Sequence, residues 1–485
     1  MRQRVIRHVM ERWVDPVTAF SELFGRSERA FWLDGGARAI DGLSVMGEGA
    51  SLVTASAAGG TLTRDPPGRV LPNDIFEFLA AQQERGVEYS IPEVVDRSGT
   101  DSVRANSAGA EFVVAEPQGF GLGWVGWLGY ELRARTMRVD ATHTSQYPDA
   151  VWMEVTRAVE FDHRRGTVSL LALGDGWSGE LAFWRDSVTA ALAGARSVPD
   201  DVVVPVHDRP ALWRYDDEEY LEMILQCQAA IVEGDAYQLC LTSEATVDVH
   251  PDPLATYLAL RASSPSHHGG FLRAGEVSLL SSSPERFLSV SPEGVVESRP
   301  IKGTKRRGAT PEEDALLRDE LEDSEKERAE NLMIVDLMRN DIARVSRIGS
   351  VTVPSLLAVE SYAQVHQLVS TVRGTLAEGL VPLDAVIACF PAGSMTGAPK
   401  QSATAILDAL ENRARGIYSG AFGYVGLDGR IDLAMVIRSI ILDAHGATVG
   451  SGGGITSLSV PSEELAEVKL KAAVLLRVLG VKEDT

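Results

Sequence analysis

Two strand-like runs, 151–161 and 167–173, are separated only by Asp162-His163-Arg164-Arg165-Gly166, so the chain is expected to turn back on itself there as a hairpin. Antiparallel sheet is the simplest inference for this region. Helical patterns alternate with it. A helix is expected from Asn73-Asp74, where a capping side chain precedes Ile75, Phe76, Phe78 and Leu79, and another over 179–195. The stretch 197–210 then carries three prolines among charged residues and marks the expected boundary or crossover between an N-terminal region, 1–200, and a second region, 214–482. In the second region Asp216 can cap a helix running through Val232, 431–442 reads as one buried strand carrying the single cation Arg438, and Pro461 opens a last helix to about Leu479. The apolar face of that helix, Leu465, Val468, Ala472, Leu475 and Leu479, keeps a 3.6-residue period.

A chain of 485 residues can hold two or three ordinary domains or one large interlocked body. Its 68 acidic and 46 basic residues leave a net charge of −22, which argues against a nucleic-acid surface or an anionic membrane patch. An anionic substrate would need local cations. Residues 1–13 are basic without an apolar core or a small-residue cleavage site, and no stretch approaches a membrane span in length, so a cytoplasmic protein is expected. Cys227, Cys240 and Cys389 are too few and too widely spaced for a disulfide framework or a zinc knuckle and read as buried thiols.

Two carboxylate pairs have helical spacing. Glu464 and Glu467 share a face with Lys471 at i, i+3 and i+7, and Glu327 and Glu330 repeat the i, i+3 spacing on an expected helix leading into 332–338. By residues alone each pair reads as a solvated helix face. Brought together, four carboxylates could hold one hard cation such as Mg²⁺ through oxygen.

The strings Ser283-Pro284-Glu285-Arg286-Phe287, Pro300-Ile301-Lys302-Gly303-Thr304 and Arg328-Ala329-Glu330-Asn331-Leu332-Met333-Ile334-Val335-Asp336-Leu337-Met338-Arg339-Asn340-Asp341 together resemble the chorismate-utilising enzymes. The lysine inside PIKGT is similar to the aminodeoxychorismate synthase component I branch. The sibling anthranilate synthase component I branch carries alanine there. The match is dense from Asp216 to Leu479 and thin before Asp200, where Phe31-Trp32-Leu33-Asp34 and Gly126-Trp127-Leu128-Gly129-Tyr130-Glu131 are its recognisable pieces.

The resemblance implies an α+β fold of antiparallel sheets stacked as a sandwich, with helices outside and both halves contributing. It implies Mg²⁺ on Glu327, Glu330, Glu464 and Glu467, and a covalent mechanism in which Lys302 adds to the ring, Glu285 protonates the departing hydroxyl, and ammonia then expels the lysine. His366 matches a histidine near that hydroxyl. Thr304, Thr396, Tyr424, Arg438 and Lys471 match substrate contacts, and Gly452, Gly453 and Gly454 would offer backbone amides to a substrate carboxylate. Gln238 stands where isochorismate and salicylate synthases carry a water-activating lysine, so ammonia is the expected nucleophile. The implied reaction is amination of chorismate to 4-amino-4-deoxychorismate, for p-aminobenzoate in folate or specialised-metabolite synthesis. Anthranilate synthesis and a non-catalytic chorismate-binding subunit are the alternatives. No Gly-x-Cys-x-Gly nucleophile occurs, so ammonia is expected free or from a separate glutamine amidotransferase subunit.

Physical chemistry adds requirements to this picture. A lysine at its reference pKa of about 10.4 is less than ~1% neutral at pH 8, so a nucleophilic Lys302 is expected to have a lowered pKa. A three-unit drop corresponds to roughly 4 kcal/mol. Lys305, Arg306 and Arg307 could contribute like-charge repulsion, as could a bound Mg²⁺. Glu285, as a general acid, is expected to be desolvated. A buried Arg438 must find an anion.

Two motifs are decoys. Gly121-x-Gly123-x-x-Gly126 leads into Trp127-Leu128-Gly129-Tyr130 rather than a helix, and Gly393-Ser394-Met395-Thr396-Gly397-Ala398-Pro399-Lys400 lacks the adjacent Gly-Lys-Ser/Thr of a nucleotide loop. Ser264-Pro265-Ser266-His267-His268-Gly269-Gly270 departs from the family pattern, and if the two histidines lie on a strand they face opposite ways.

Overall fold

The computed structural model describes residues 3–37, 39–57, 62–65, 74–89, 119–197, 206–362 and 365–482. Asn73 and most of the expected boundary, 198–205, lie outside them. Among the described residues the strands form a 13-stranded and an 11-stranded sheet. Nearly all pairings are antiparallel; Gln3–Val9 with Val87–Tyr89 is parallel. The expected hairpin forms between Arg157–Asp162 and Thr167–Leu173.

Each sheet draws strands from both ends of the chain. In the larger one, Arg29–Asp34 pairs with His268–Ala274, and in the smaller one Gly123–Leu128 pairs with Ala421–Gly426. The facing surfaces make one core: Phe31, Leu272, Leu279 and Ile441 of the larger sheet meet Val125, Trp127, Met153 and Phe422 of the smaller. Side chains of this size contribute roughly 2–3 kcal/mol each on full burial. Helices cover the outer faces. Pro16–Leu23, Pro253–Ser263 and Pro461–Val478 pack on the larger sheet, while Ile75–Glu84, Glu325–Ala343 and Pro382–Cys389 pack on the smaller. The result is the expected α+β sandwich.

Local signals account for several element ends. Asp74 accepts from the Glu77 amide, and Asp216 forms a capping box with Glu219 ahead of Asp217–Glu233. The apolar face of the last helix is inward, with Val468, Ala472 and Leu475 buried. No helix among the described residues is long and apolar enough to cross a membrane.

Two single-strand readings are corrected. The run 151–161 is two strands, Ala150–Val155 in the smaller sheet and Arg157–Asp162 in the larger. Likewise 431–442 divides into Ile431–Met435 in the smaller sheet and Ser439–Asp443 in the larger. Apolar continuity hides such a break, because a strand that changes sheets stays buried on both sides of it. Gly121-x-Gly123-x-x-Gly126 enters a strand, and a side chain at Gly126 would strike the Val151 carbonyl.

Candidate active site

The chain passes between the sheets at two neighbouring places, and each carries a candidate residue. Glu285 lies between Val277–Ser283 and Arg286–Val290, and Arg438 between Ile431–Met435 and Ser439–Asp443. They are tied together: Met435 N–H donates to the Glu285 carbonyl at 3.0 Å, and Ser282 N–H to the Arg438 carbonyl at 3.1 Å.

Lys302 reaches the same region from the edge of the smaller sheet. Its strand, Ile301–Arg306, pairs with Val365–Thr375 through an irregularity between Ile301 and Thr304, which takes Lys302 and Gly303 out of the ladder. Gly303 has φ +86°, so the glycine permits that turn. The Lys302 amine then comes within 3.5 Å of where a methyl group on Gly454 would sit, and the same methyl group would collide with the Gln238 amide. Gly454 is opposite Cys240 in the pairing of Gln238–Val247 with Gly446–Ile455. Lys302, Gln238 and Cys240 thus meet over one glycine.

The electrostatics correct one expectation. Lys302 Nζ lies 3.6 Å from Glu330 Oε2. Burial disfavours the ammonium, but Glu330, Cys240, Glu285 and Glu327 outweigh it, and the pKa stands above the ordinary lysine value rather than below it. The expected repulsion from Lys305, Arg306 and Arg307 is spent elsewhere, since they pair with Glu320 at 3.4 Å, Glu313 at 2.5 Å and Asp314 at 2.7 Å. Glu285 is desolvated. Burial pushes its carboxyl up to about 7, against the Ser394 hydroxyl and Lys302, which favour ionisation.

The four helix glutamates form one electrostatic cluster. Burial and then the Glu330 charge raise Glu327, and burial raises Glu464 with a smaller push from Glu467. Burial also works against ionisation of Glu467, but Lys471 at 2.7 Å overrides it and holds that carboxyl low. Lys326, 3.7 Å from Glu464, feels all four carboxylates. Among the described residues no three acidic, histidine or cysteine side chains already converge as a coordination set. A set of oxygen donors that together draw in one lysine nonetheless suits a hard cation.

Arg438 makes no carboxylate salt bridge among the described residues; its Nη1 donates to the Lys471 carbonyl at 3.4 Å. Its backbone is left-handed, φ +51°, and burial works against its charge. The Lys471 ammonium donates to the Gly452 carbonyl at 2.9 Å. Gly452, Gly453 and Gly454 belong to a strand paired on one side with Gln238–Val247, while its other neighbour, Ser439–Asp443, pairs only as far as Val449. Beyond that point the amides of Gly452 and Gly454 face an open edge, whereas Gly453, against expectation, faces its ladder partner Leu241, because Cys240 and Thr242 turn their own N–H groups to Thr396 and Glu411. Thr396 is fully buried near Cys240, whose N–H donates to its carbonyl at 2.8 Å.

Three expected residues fall outside this cluster. Tyr424 packs edge-on to Phe120 at 5.1 Å and lines a separate cavity of about 560 Å³. The His366 ring is engaged by Asp314 at 2.9 Å and Ser361 at 2.8 Å. Thr304 pairs with Gln367 and is exposed. The separate cavity also takes both His267 and His268, because His267 precedes the strand His268–Ala274 and strand alternation does not govern it. It is lined by Pro284 and Ile301, each one residue from Glu285 and Lys302.

The sequence reading missed Tyr418, Ser394 and Lys326. The buried Tyr418 ring covers Gly450 and interacts with Arg438, a proximity no spacing rule encodes. Ser394 sits in the Gly393–Met395 turn facing Glu285. Lys326 was accessible, because it stands i, i+4 to Glu330. The nucleotide-loop decoy is also explained: Lys400 is bound by Asp341 at 2.5 Å and by the carbonyls of Cys389 and Pro391, both at 2.8 Å.

A family model described as chorismate binding enzyme matches residues 70–477. The chain is 42% identical over 488 residues to an aminodeoxychorismate synthase of Streptomyces griseus, covering 99% of this chain and 64% of that protein. It is 40% identical over 473 residues to an aminodeoxychorismate synthase of Streptomyces pristinaespiralis, covering 96% and 64%. The chain therefore spans just under two thirds of the length of these relatives. The fold matches the crystal structure of anthranilate synthase component I from Streptococcus pneumoniae TIGR4 with a TM-score of 0.72 and 26% identity, covering 96% of this chain and 99% of that one. Interleaved sheets, a carboxylic acid and an arginine at the crossovers with a lysine reaching them from a sheet edge, and a match over most of the length agree: the chain belongs to the family of chorismate binding enzymes.

Proposed function

We propose that this chain aminates chorismate to 4-amino-4-deoxychorismate, in a Mg²⁺-dependent reaction through a covalent Lys302 adduct. The observation that carries the reading is the meeting of the Lys302 amine with Glu285, a carboxyl shifted to about 7, beside Arg438, which makes no carboxylate salt bridge among the described residues. The names of the Streptomyces relatives support it.

In this reading the neutral Lys302 amine forms a bond to the ring, the ring double bonds shift, and the hydroxyl leaves with the Glu285 proton as water. Ammonia then bonds to the carbon that bore the hydroxyl and the lysine–carbon bond breaks. Arg438 and the open-edge amides of Gly452 and Gly454 bind carboxylate oxygens. Buried Gln238, an amide, holds the place of a base without being able to activate water. Glu327, Glu330, Glu464 and Glu467 would hold Mg²⁺, which supplies counter-charge for a substrate carboxylate and withdraws carboxylate support from the Lys302 ammonium.

The ammonia is supplied by a glutamine amidotransferase subunit, and the product feeds p-aminobenzoate for folate or a specialised metabolite in the cytoplasm. Anthranilate synthase is the competing reading, favoured by the 26% identity to a component I structure over nearly the whole chain. Mass spectrometry of products from purified protein, chorismate, Mg²⁺ and ammonium decides between them. An amino product retaining the enolpyruvyl group supports the proposal. Anthranilate with pyruvate overturns it in favour of the competitor, and untouched chorismate points to a binding subunit.

A further inference from the structure

Ser370 joins three segments of the smaller sheet's outer layer. Its N–H donates to the Pro300 carbonyl at 3.1 Å, two residues before Lys302. Its hydroxyl donates to Asn331 Oδ1 at 2.6 Å and accepts the Leu357 N–H at 2.9 Å, where Leu357 has a left-handed backbone, φ +53°. Asn331 also donates from Nδ2 to the Leu368 carbonyl at 3.1 Å. Both side chains are fully buried.

We infer that Asn331 and Ser370 are positioning residues that hold the helix Glu325–Ala343 against the strand Ile301–Arg306 so that Glu330 meets the Lys302 amine. The inference rests on the reading of Lys302 and Glu330 as active-site partners. Asn331 follows Glu330 directly, and one residue of helix rotation, about 100°, would swing Glu330 off the lysine. Apolar contacts along the same helix, from Ile334, Val335, Met338 and Ile342, resist separation but tolerate sliding and rotation. Two hydrogen bonds from one amide to residues 368 and 370 remove both freedoms. Any other register would leave these buried polar groups unsatisfied, so the register is enforced.

The test is acylation of the free protein with acetic anhydride, read lysine by lysine by peptide mass spectrometry, for wild type, Asn331→Ala, Ser370→Ala and the double variant. Freed from its 3.6 Å contact with Glu330, the Lys302 amine should label several-fold faster in each single variant, and the double variant should label no faster than either single one. Lys400, tied to Asp341 at the far end of the same helix, should stay protected. An unchanged Lys302 rate overturns the inference, and so does a joint rise at Lys302 and Lys400, which means general loosening. If one single variant fails to fold, the other carries the comparison. No chorismate is present, so failure of the proposed reaction, seen as absent wild-type turnover, is read separately.

Discussion

Lys326 and Glu464, 3.7 Å apart, join the two helices that carry the four clustered glutamates, Glu325–Ala343 and Pro461–Val478. The lysine is largely exposed whereas Glu464 is buried, so the pair is held by the carboxylate's need for a counter-charge rather than by packing. Removing the lysine takes away the counter-charge beside Glu464 and leaves Lys302 at Glu330 and Lys471 at Glu467 facing four carboxylates. Lys326→Gln should therefore bind Mg²⁺ several-fold more tightly by calorimetry and melt at a lower temperature in chelator; equal affinity and equal melting would remove Lys326 from this balance.

Lys302 is an ammonium in this conformation because carboxylates outweigh its burial. A divalent cation engaging Glu327 and Glu330 should reverse that balance. Acylation of wild-type Lys302 is expected to speed up on adding Mg²⁺, because the carboxylates that hold the ammonium would then serve the metal. A rate that does not respond to Mg²⁺ would separate the metal from the lysine. Lys302→Ala should abolish amination while leaving the fold intact, as judged by circular dichroism.

Glu285 has a raised native pKa, so between about 4.5 and 7 the folded state binds the extra proton and stability falls as pH rises. The shift corresponds to about 3 kcal/mol at full ionisation. Glu131, buried and also near 7, adds the same sign of slope. Glu285→Gln should remove part of this loss in denaturation measured from pH 5 to 8. Turnover limited by the protonated acid should decline above about pH 7, and the variant should lose roughly 10²–10⁴-fold in kcat. A pH-independent difference between the two proteins would contradict the acid role.

Arg438 has no carboxylate partner among the described residues, so a substrate anion is its expected counterion. Arg438→Ala should raise the KM for chorismate by ten- to a hundredfold, as loss of a bidentate charged contact of about 1.5–3 kcal/mol requires. It should cost little stability, since no ion pair is broken. A large fall in melting temperature with unchanged KM would make the arginine structural.

Gly454→Ala tests the close approach of the two sheets. The added methyl group meets the Gln238 amide and the Lys302 amine, so activity should fall at least tenfold. Gly176→Ala serves as the control, because its methyl group would meet nothing within 4 Å. Equal activity of the two variants would show that the contact over Gly454 is not needed.

Short-range patterns determined much of this protein by themselves. The hairpin ending at Leu173, the caps at Asp74 and Asp216, the inward face of the last helix and the i, i+3 glutamate pairs are all set within a few residues of one another, where spacing and side-chain chemistry act directly. Tertiary structure alone decided which distant pieces meet. The runs 151–161 and 431–442 each divide between two sheets, and the second division places Arg438 beside Tyr418 while Tyr424, six residues on, faces another cavity. The charge state of Lys302 was also decided there. The sequence showed its basic neighbours, Lys305, Arg306 and Arg307, but the fold pairs those with acids and brings Glu330, Glu327 and Glu285 to the amine instead. Electrostatic energy depends on distance in space, and the residues that set it lie as far along the chain as Cys240, 62 positions from Lys302.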